Sequence, residues 1–235
     1  GVLDATEKGV PGEMKMPEDM IQAICDKAHA LGLLTSAHVE STQGVKAALR
    51  NGVDSIEHGA QPDKEMMDLF KQKGAFLITT LSPALPFALF DQSVSKVNDV
   101  QLFNGKMVFD GIVECSKAAL ENGIPVGLGN DVGCPWITQY DFYRELVYFH
   151  KYVGVTNAFA LYTATLQNAI LAGIGDITGS IDEGKHADMI VVKENPLEDL
   201  NALKHIDLVF AKGKMVHPKF RRDKEIDEKL DVFCQ

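Results

Sequence analysis

Leu33–Gly59, LLTSAHVESTQGVKAALRNGVDSIEHG, is the stretch whose reading decides the fold. Two short apolar runs each end in a histidine: Leu33 to Ala37 before His38, and Val53 to Glu57 before His58. Between them, from about Thr42 to Arg50, the residues have helical spacing. That is strand, helix and strand in 27 residues, close to the shortest unit that returns a chain to a parallel neighbour. Each histidine sits at the C-terminal end of its strand. In α/β barrels and open α/β sheets that end is where ligands and chemistry collect. Two histidines placed equivalently on adjacent strands can point at one ion.

The rest of the chain extends this unit. Pro17 fits the first position of a helix, with Glu18 and Asp19 at its positive end and Gly32 as its stop. Pro62 to Lys73 reads as the next helix, and Ala75 to Leu81 as a third strand. Pro125 to Asp131 is a fourth strand, ending in an acid. Strand starts at 33, 54, 75 and 125, with helices between, predict a parallel sheet covered by helices. Ser82 to Asn104 carries Pro83 and Pro86 and reads as an irregular lid or substrate loop. Gly105 to Asn122, Ile137 to Tyr152 and Thr156 to Leu171 read as helices. The composition changes at Gly173, where glycine-rich sequence leads to a β-type run, Ala187 to Val192. A second run, Ile206 to Ala211, turns through Lys212-Gly213-Lys214 as a hairpin. This organisation predicts residues 1–172 as an α/β domain, 173–220 as a small β segment and 221–235 as a charged tail.

Totals narrow the function. The chain has 235 residues, 46% of them hydrophobic, enough for a sizeable core. A formal charge of −10 argues against a nucleic-acid binder, which needs a basic face. No run of 18 apolar residues exists, so no transmembrane helix is expected, and the first residues lack the apolar core of a signal peptide. Cys25, Cys115, Cys134 and Cys234 show no CxxC spacing and read as thiols of a reducing, cytoplasmic compartment.

The candidates for chemistry are His38, His58 and Asp131, each at the C-terminal end of an expected strand. Neutral imidazole nitrogens and a carboxylate are ligands that zinc accepts. A lone histidine at a strand end is more often a hydrogen-bonded core residue. Two on adjacent strands, with an acid on the fourth, favour a metal site. Three stretches then carry a resemblance: AHALG followed by Ala37-His38, Asp54-Ser-Ile-Glu-His58-Gly59, and Gly179 to Val192 followed by the Val209 to Val216 hairpin. The chain resembles the C-terminal part of a metal-dependent amidohydrolase, in the imidazolonepropionase-like and Xaa-Pro dipeptidase-like branch. The resemblance implies strands five to eight of a (β/α)8 TIM barrel, plus part of an accessory β-sandwich. It also implies one or two divalent metals, most often zinc. His38 would be the fifth-strand ligand, His58 the sixth-strand ligand and Asp131 the eighth-strand acid. Asp131 would bind metal and shuttle the proton of the attacking water. The implied substrate is an amide, dipeptide or cyclic amide.

Departures from the family matter as well. The sequence has no His-x-His pair and no fourth-strand lysine, so the resemblance implies a half-barrel that needs a partner chain, a second copy or its own missing half. An inactive scaffold of the same fold is the alternative. A deaminase is a third reading, weakened because Ser41, not a glutamate, lies three residues beyond His38. Glu40 can face a substrate or be a surface acid. Arg144 can hold a substrate carboxylate, although helix packing is the commoner role for such a residue. Glu57 should point away from His58, towards the helices. His29, His150, His186, His205 and His217 read as structural or exposed.

Overall fold

In the computed structural model, which describes Val2 and residues 5–235, helix α1 (Glu18–Ala30) starts directly after Pro17. Pro17 is the extended residue before the helix rather than its first member. Of the turn-rich opening segment, Gly1, Leu3 and Asp4 lie outside the described residues. The chain divides into two units, Gly1–Val126 and Gly127–Gln235.

The first unit is built on the expected strand–helix–strand. Strand β1 (Ser36–Val39), helix α2 (Thr42–Arg50) and strand β2 (Ser55–His58) follow one another. The strands pair in parallel, with Val39 opposite His58. Ser41 caps α2 by accepting the Gly44 N–H. Asp63 caps helix α3 (Lys64–Lys73) by accepting the Met66 N–H, and Gly74 ends it in left-handed backbone. Strand β3 (Phe76–Thr79) then pairs in parallel with β2. One face of this sheet is core: Ile56 and Leu77 lie side by side in register and are fully buried. Met66 and Phe70 of α3 and Val45 and Leu49 of α2 are equally buried. The other face carries Ser36, His38, Glu57 and Ile78, none of them buried.

Two expectations are corrected here. The segment 82–104 is not an irregular loop. Helix α4 (Leu81–Leu89) is buried along nearly its whole length, and α5 (Gln92–Ser95) leads into α6 (Asp99–Glu121). Pro83 lies in the first turn of α4, where its missing N–H costs nothing. A helix apolar on all sides belongs in the interior, and burial outweighs the second proline, Pro86. Glu57 does not face the helices. By register it shares the face opposite Ile56 with Ser36 and the buried Ser55, and its Oε1 accepts from both hydroxyls at 2.7 and 2.6 Å.

Strand β4 (Val126–Leu128) closes the order β1-β2-β3-β4, and Leu77 N–H donates to Pro125 O at 3.0 Å. In the second unit, the Asn168 side chain pairs with both the N–H and the C=O of Leu128, at 2.9 and 2.8 Å, as a neighbouring strand would. Helix α7 (Tyr143–Tyr148) runs on as a π-helical turn. Helices α8 (Asn157–Tyr162) and α9 (Asn168–Leu171) follow. An antiparallel sheet then forms from β5 (Met189–Val192), β6 (Ile206–Ala211) and β7 (Lys214–Val216). Its β6–β7 turn has Lys212 and Gly213 in left-handed backbone, as the hairpin signal requires. Helix α10 (Lys224–Asp231) is the helical part of the charged tail. Among the described residues no helix is long and apolar enough to cross a membrane. The four cysteines are thiols, not disulfides.

Helices α4 and α6 approach at Gly105. A Cβ there would lie 2.7 Å from Phe87 Cβ and 3.0 Å from its carbonyl carbon. Glycine to alanine in an open helix stabilises by about 1 kcal/mol. Here the overlap reverses the sign, and Gly105→Ala should cost about 1–3 kcal/mol. Urea denaturation checks it, and a stabilised variant would contradict this packing.

Candidate functional site

Parallel pairing of β1 with β2 sets two imidazoles at one edge of the sheet. His38 Nδ1 and His58 Nε2 lie 2.8 Å apart. Their rings are 4.6 Å between centroids and inclined at 78°. His58 reaches this position from an unusual backbone, with φ at 69° on the last residue of β2. Left-handed backbone is tolerated by histidine better than by most residues, at a cost of about 1–2 kcal/mol. It breaks the alternation of side chains that a regular strand end would have continued.

The turn that follows is clamped. Gly59 has φ at 89°, and a Cβ on it would fall 2.9 Å from Cys115 Sγ of α6. Gly111 of α6 has no room for a Cβ either, because Gln61 N would be 2.9 Å away. Two glycines therefore let residues 59–61 lie flush against α6, and this fixes the end of β2. His58 is buried, and its Nδ1 pairs with the Thr80 hydroxyl just beyond β3. Burial pushes the His58 pKa down to about 4, and His38 beside it adds to the effect. The ring is therefore neutral at pH 7, the form in which imidazole ligates a metal.

The remaining candidates are placed as follows. Glu40 is half-buried and accepts the Val2 N–H at 3.1 Å. It lines a cavity of about 430 Å³ that runs along β1 and includes His38, Thr35, Met14 and Met16. Asp131 lies in the second unit, three residues past β4, exposed and with φ at 51°. Its carbonyl accepts the Cys134 N–H at 3.2 Å. His38 and His58 are thus the two candidates that the structure brings together. Among the described residues no group of three or more histidine, cysteine, aspartate or glutamate side chains converges as a metal cage.

Arg144 is 2% exposed and held by carboxylates of its own unit. It pairs with Asp141 at 3.2 Å, Asp227 at 3.3 Å and Asp231 at 2.8 Å. Arg222 bridges Asp141 and Asp227, at 2.8 and 2.9 Å, and Lys204 holds Asp231 at 2.6 Å. A substrate carboxylate would have to displace one of these aspartates. His29 is structural, as expected, with Nε2 2.8 Å from Asp54 Oδ2, the atom that also accepts from Thr35. Sequence reasoning missed Thr80. Its signal was available, as a hydroxyl residue at the C-terminal end of the third strand beside the two histidines.

Comparisons with known proteins place the family and the fold. The sequence profile described as the Amidohydrolase family matches residues 1–216. Ochratoxinase of Aspergillus niger is 29% identical over 206 residues, which are 85% of this chain and 41% of that enzyme. Imidazolonepropionase of Thermoplasma volcanium is 24% identical over 202 residues, 83% of this chain and 43% of that one. Among solved structures, a Bifidobacterium longum protein assigned as a prolidase aligns with a TM-score of 0.92 at 40% identity. It covers 99% of this chain and 57% of its own. A Xaa-Pro dipeptidase with methionine bound in its active site aligns with a TM-score of 0.77 at 29% identity, covering 88% and 50%. The chain spans about half the length of the relatives it matches.

The buried neutral ring of His58 predicts a pH dependence of stability when a chelator is present. The folded ring titrates near 4 and an unfolded histidine near 6.5, so between those values the unfolded state binds more protons. Stability is therefore full above the upper value and falls as the pH drops towards the lower one, by about 3 kcal/mol in all. Urea titrations across that range check it. The same slope in His58→Gln would assign the effect to another group.

Proposed function

The chain belongs to the amidohydrolase family, and on that footing we propose that the complete protein hydrolyses a C–N bond with the help of one or two divalent metal ions, zinc first. The observation that carries this reading is the 2.8 Å approach of His38 Nδ1 to His58 Nε2 at the C-terminal ends of adjacent parallel strands. Two neutral imidazole nitrogens facing one point suit a borderline cation such as zinc. His38 and His58 would hold the ion, with Asp131 as the carboxylate that completes the set. When bound, the ion supplies a lowered pKa for water and polarisation of the scissile carbonyl.

The chain's own residues do the rest. Asp131 takes the proton of the attacking water on its carboxylate and returns it to the leaving nitrogen. Glu40, on the cavity along β1, faces the substrate. Arg144 enters only by exchanging an aspartate partner for a substrate carboxylate. The parallel order β1-β2-β3-β4 and the half-length coverage support a (β/α)8 barrel of which this chain supplies strands five to eight. Residues 1–172 would form that half-barrel, with 173–220 in an accessory β-sandwich and 221–235 as the tail. The remaining strands, from the same protein or a partner chain, would close it in a reducing, cytoplasmic compartment. The substrate is a small amide, with Xaa-Pro dipeptides the first to try, by likeness to the Xaa-Pro dipeptidase.

Elemental analysis of the purified chain should find near one zinc per chain, falling to background in His38→Ala and in His58→Ala. In the full-length protein, His58→Ala should lower hydrolysis of Xaa-Pro dipeptides by at least about a hundredfold, as expected for loss of a metal ligand. Retained hydrolysis in that variant would sink the proposal. Zinc bound to the full-length protein without hydrolysis of any dipeptide, cyclic amide or amino-heterocycle would favour an inactive scaffold.

A further inference from the structure

Thr80 stands where a helix cap belongs. It directly precedes α4, and a threonine in that position ordinarily accepts a backbone N–H from the first turn, a bond worth about 1 kcal/mol. Its side chain makes no such bond. The hydroxyl pairs instead with His58 Nδ1. Both groups are buried, at 3% and 5% exposure, so water does not compete for either. Thr79, the preceding residue, is committed separately to Ser116 of α6 at 2.8 Å. The end of β3 therefore has two hydroxyls with two different tasks. One ties the strand to α6, and the other is withdrawn from its helix and given to an imidazole.

A neutral imidazole carries one proton, on Nδ1 or on Nε2. Its Nε2 is hydrogen-bonded to His38 Nδ1 at 2.8 Å, so without a metal one of these two nitrogens donates to the other. For the two facing nitrogens to hold a cation, both must offer lone pairs, so the His58 proton must reside on Nδ1. We infer that Thr80 is a positioning residue for the metal site: its hydroxyl accepts the His58 Nδ1–H, fixes that tautomer and leaves the Nε2 lone pair aimed at the space shared with His38. This rests on the reading of His58 as a metal ligand. The partner of the second ring nitrogen commonly fixes tautomer and ring orientation in such sites, and losing it typically costs 10–100-fold in metal affinity. The opposite polarity, with Thr80 donating to Nδ1, would put the proton on Nε2 and block the site.

Nitrogen-15 spectra of the histidine-labelled 235-residue chain in chelator distinguish the two. The His58 signals are assigned by their loss in His58→Gln. The expected result is a protonated Nδ1 and an unprotonated Nε2. Thr80→Val should lose this preference, and Thr80→Ser, which keeps the hydroxyl, should restore it. Zinc affinity measured by competition with a chelating dye should fall about 10–100-fold in Thr80→Val and stay close to the original in Thr80→Ser. An Nε2–H ring in the unaltered chain overturns the inference and needs no variant to fold. So does unchanged zinc affinity in a folded Thr80→Val. If the unaltered chain takes up no zinc, or His58→Ala takes up as much, the ligand reading fails instead, and the spectra still decide whether Thr80 sets the ring.

Discussion

In-register parallel pairing of β1 with β2 is the constraint on which the rest depends. Parallel strands cannot be joined by a tight turn, so the chain must return through α2, and both strands then end at the same edge. The single 2.8 Å contact between His38 and His58 is too little to bring together residues 20 apart in the chain. The backbone ladder does so, and α2 and α3 hold the ladder by covering one face. Ile56 and Leu77 are fully buried under that cover. Each such side chain is worth about 1.5–3 kcal/mol of transfer from water. A site at the strand ends is thus supported by packing at the strand centres.

The sequence made this unit legible because period and punctuation agreed. Apolar runs, helical spacing and the glycine at 74 point to the same elements, and the Ser41 and Asp63 caps found in the structure agree with them. The hairpin of β6 and β7 was legible from Lys212-Gly213 for the same reason. The segment 82–104 was not, because proline punctuation is a local signal and burial of α4 against α6 is a long-range one. Gly105 is what admits that contact, and a glycine inside a helix pattern announces no partner. Glu57 was misread because alternation was counted from His58. The left-handed residue at the strand end breaks the alternation there, so the rule held for Ser55 and failed for the one residue used to apply it.

Arg144 illustrates a different limit. Its partners Asp227 and Asp231 lie more than 80 residues away in the chain, and no spacing rule connects them. Three cations, Arg144, Arg222 and Lys204, meet three aspartates, so the network is balanced. A guanidinium only 2% exposed survives burial when its donors are met this fully. Removing one partner would leave a charge unpaired, which is why an outside carboxylate enters such a cluster only by exchange.

Strain gives the last link between fold and chemistry. Among the described residues, His58, Lys96, Asp131, Trp136 and Lys212 are the non-glycine residues with positive φ. Lys96 closes the single turn of α5, and Lys212 sits in a two-residue hairpin turn, so local turn geometry accounts for both. His58 ends β2 at the centre of a γ-turn, with the Gly59 N–H donating to Glu57 O at 2.9 Å, a rare and strained turn, and Asp131 follows β4, where a regular strand would leave with φ negative. At His58 the left-handed backbone comes with a clamped glycine turn, a neutral buried ring and a threonine diverted from its helix cap. The strained backbone and the diverted cap each cost stability, the neutral ring does so only in acid, and all of them fall on the same imidazole. Strain held in place by so much surrounding packing is characteristic of a side chain whose aim matters more than the stability lost in fixing it.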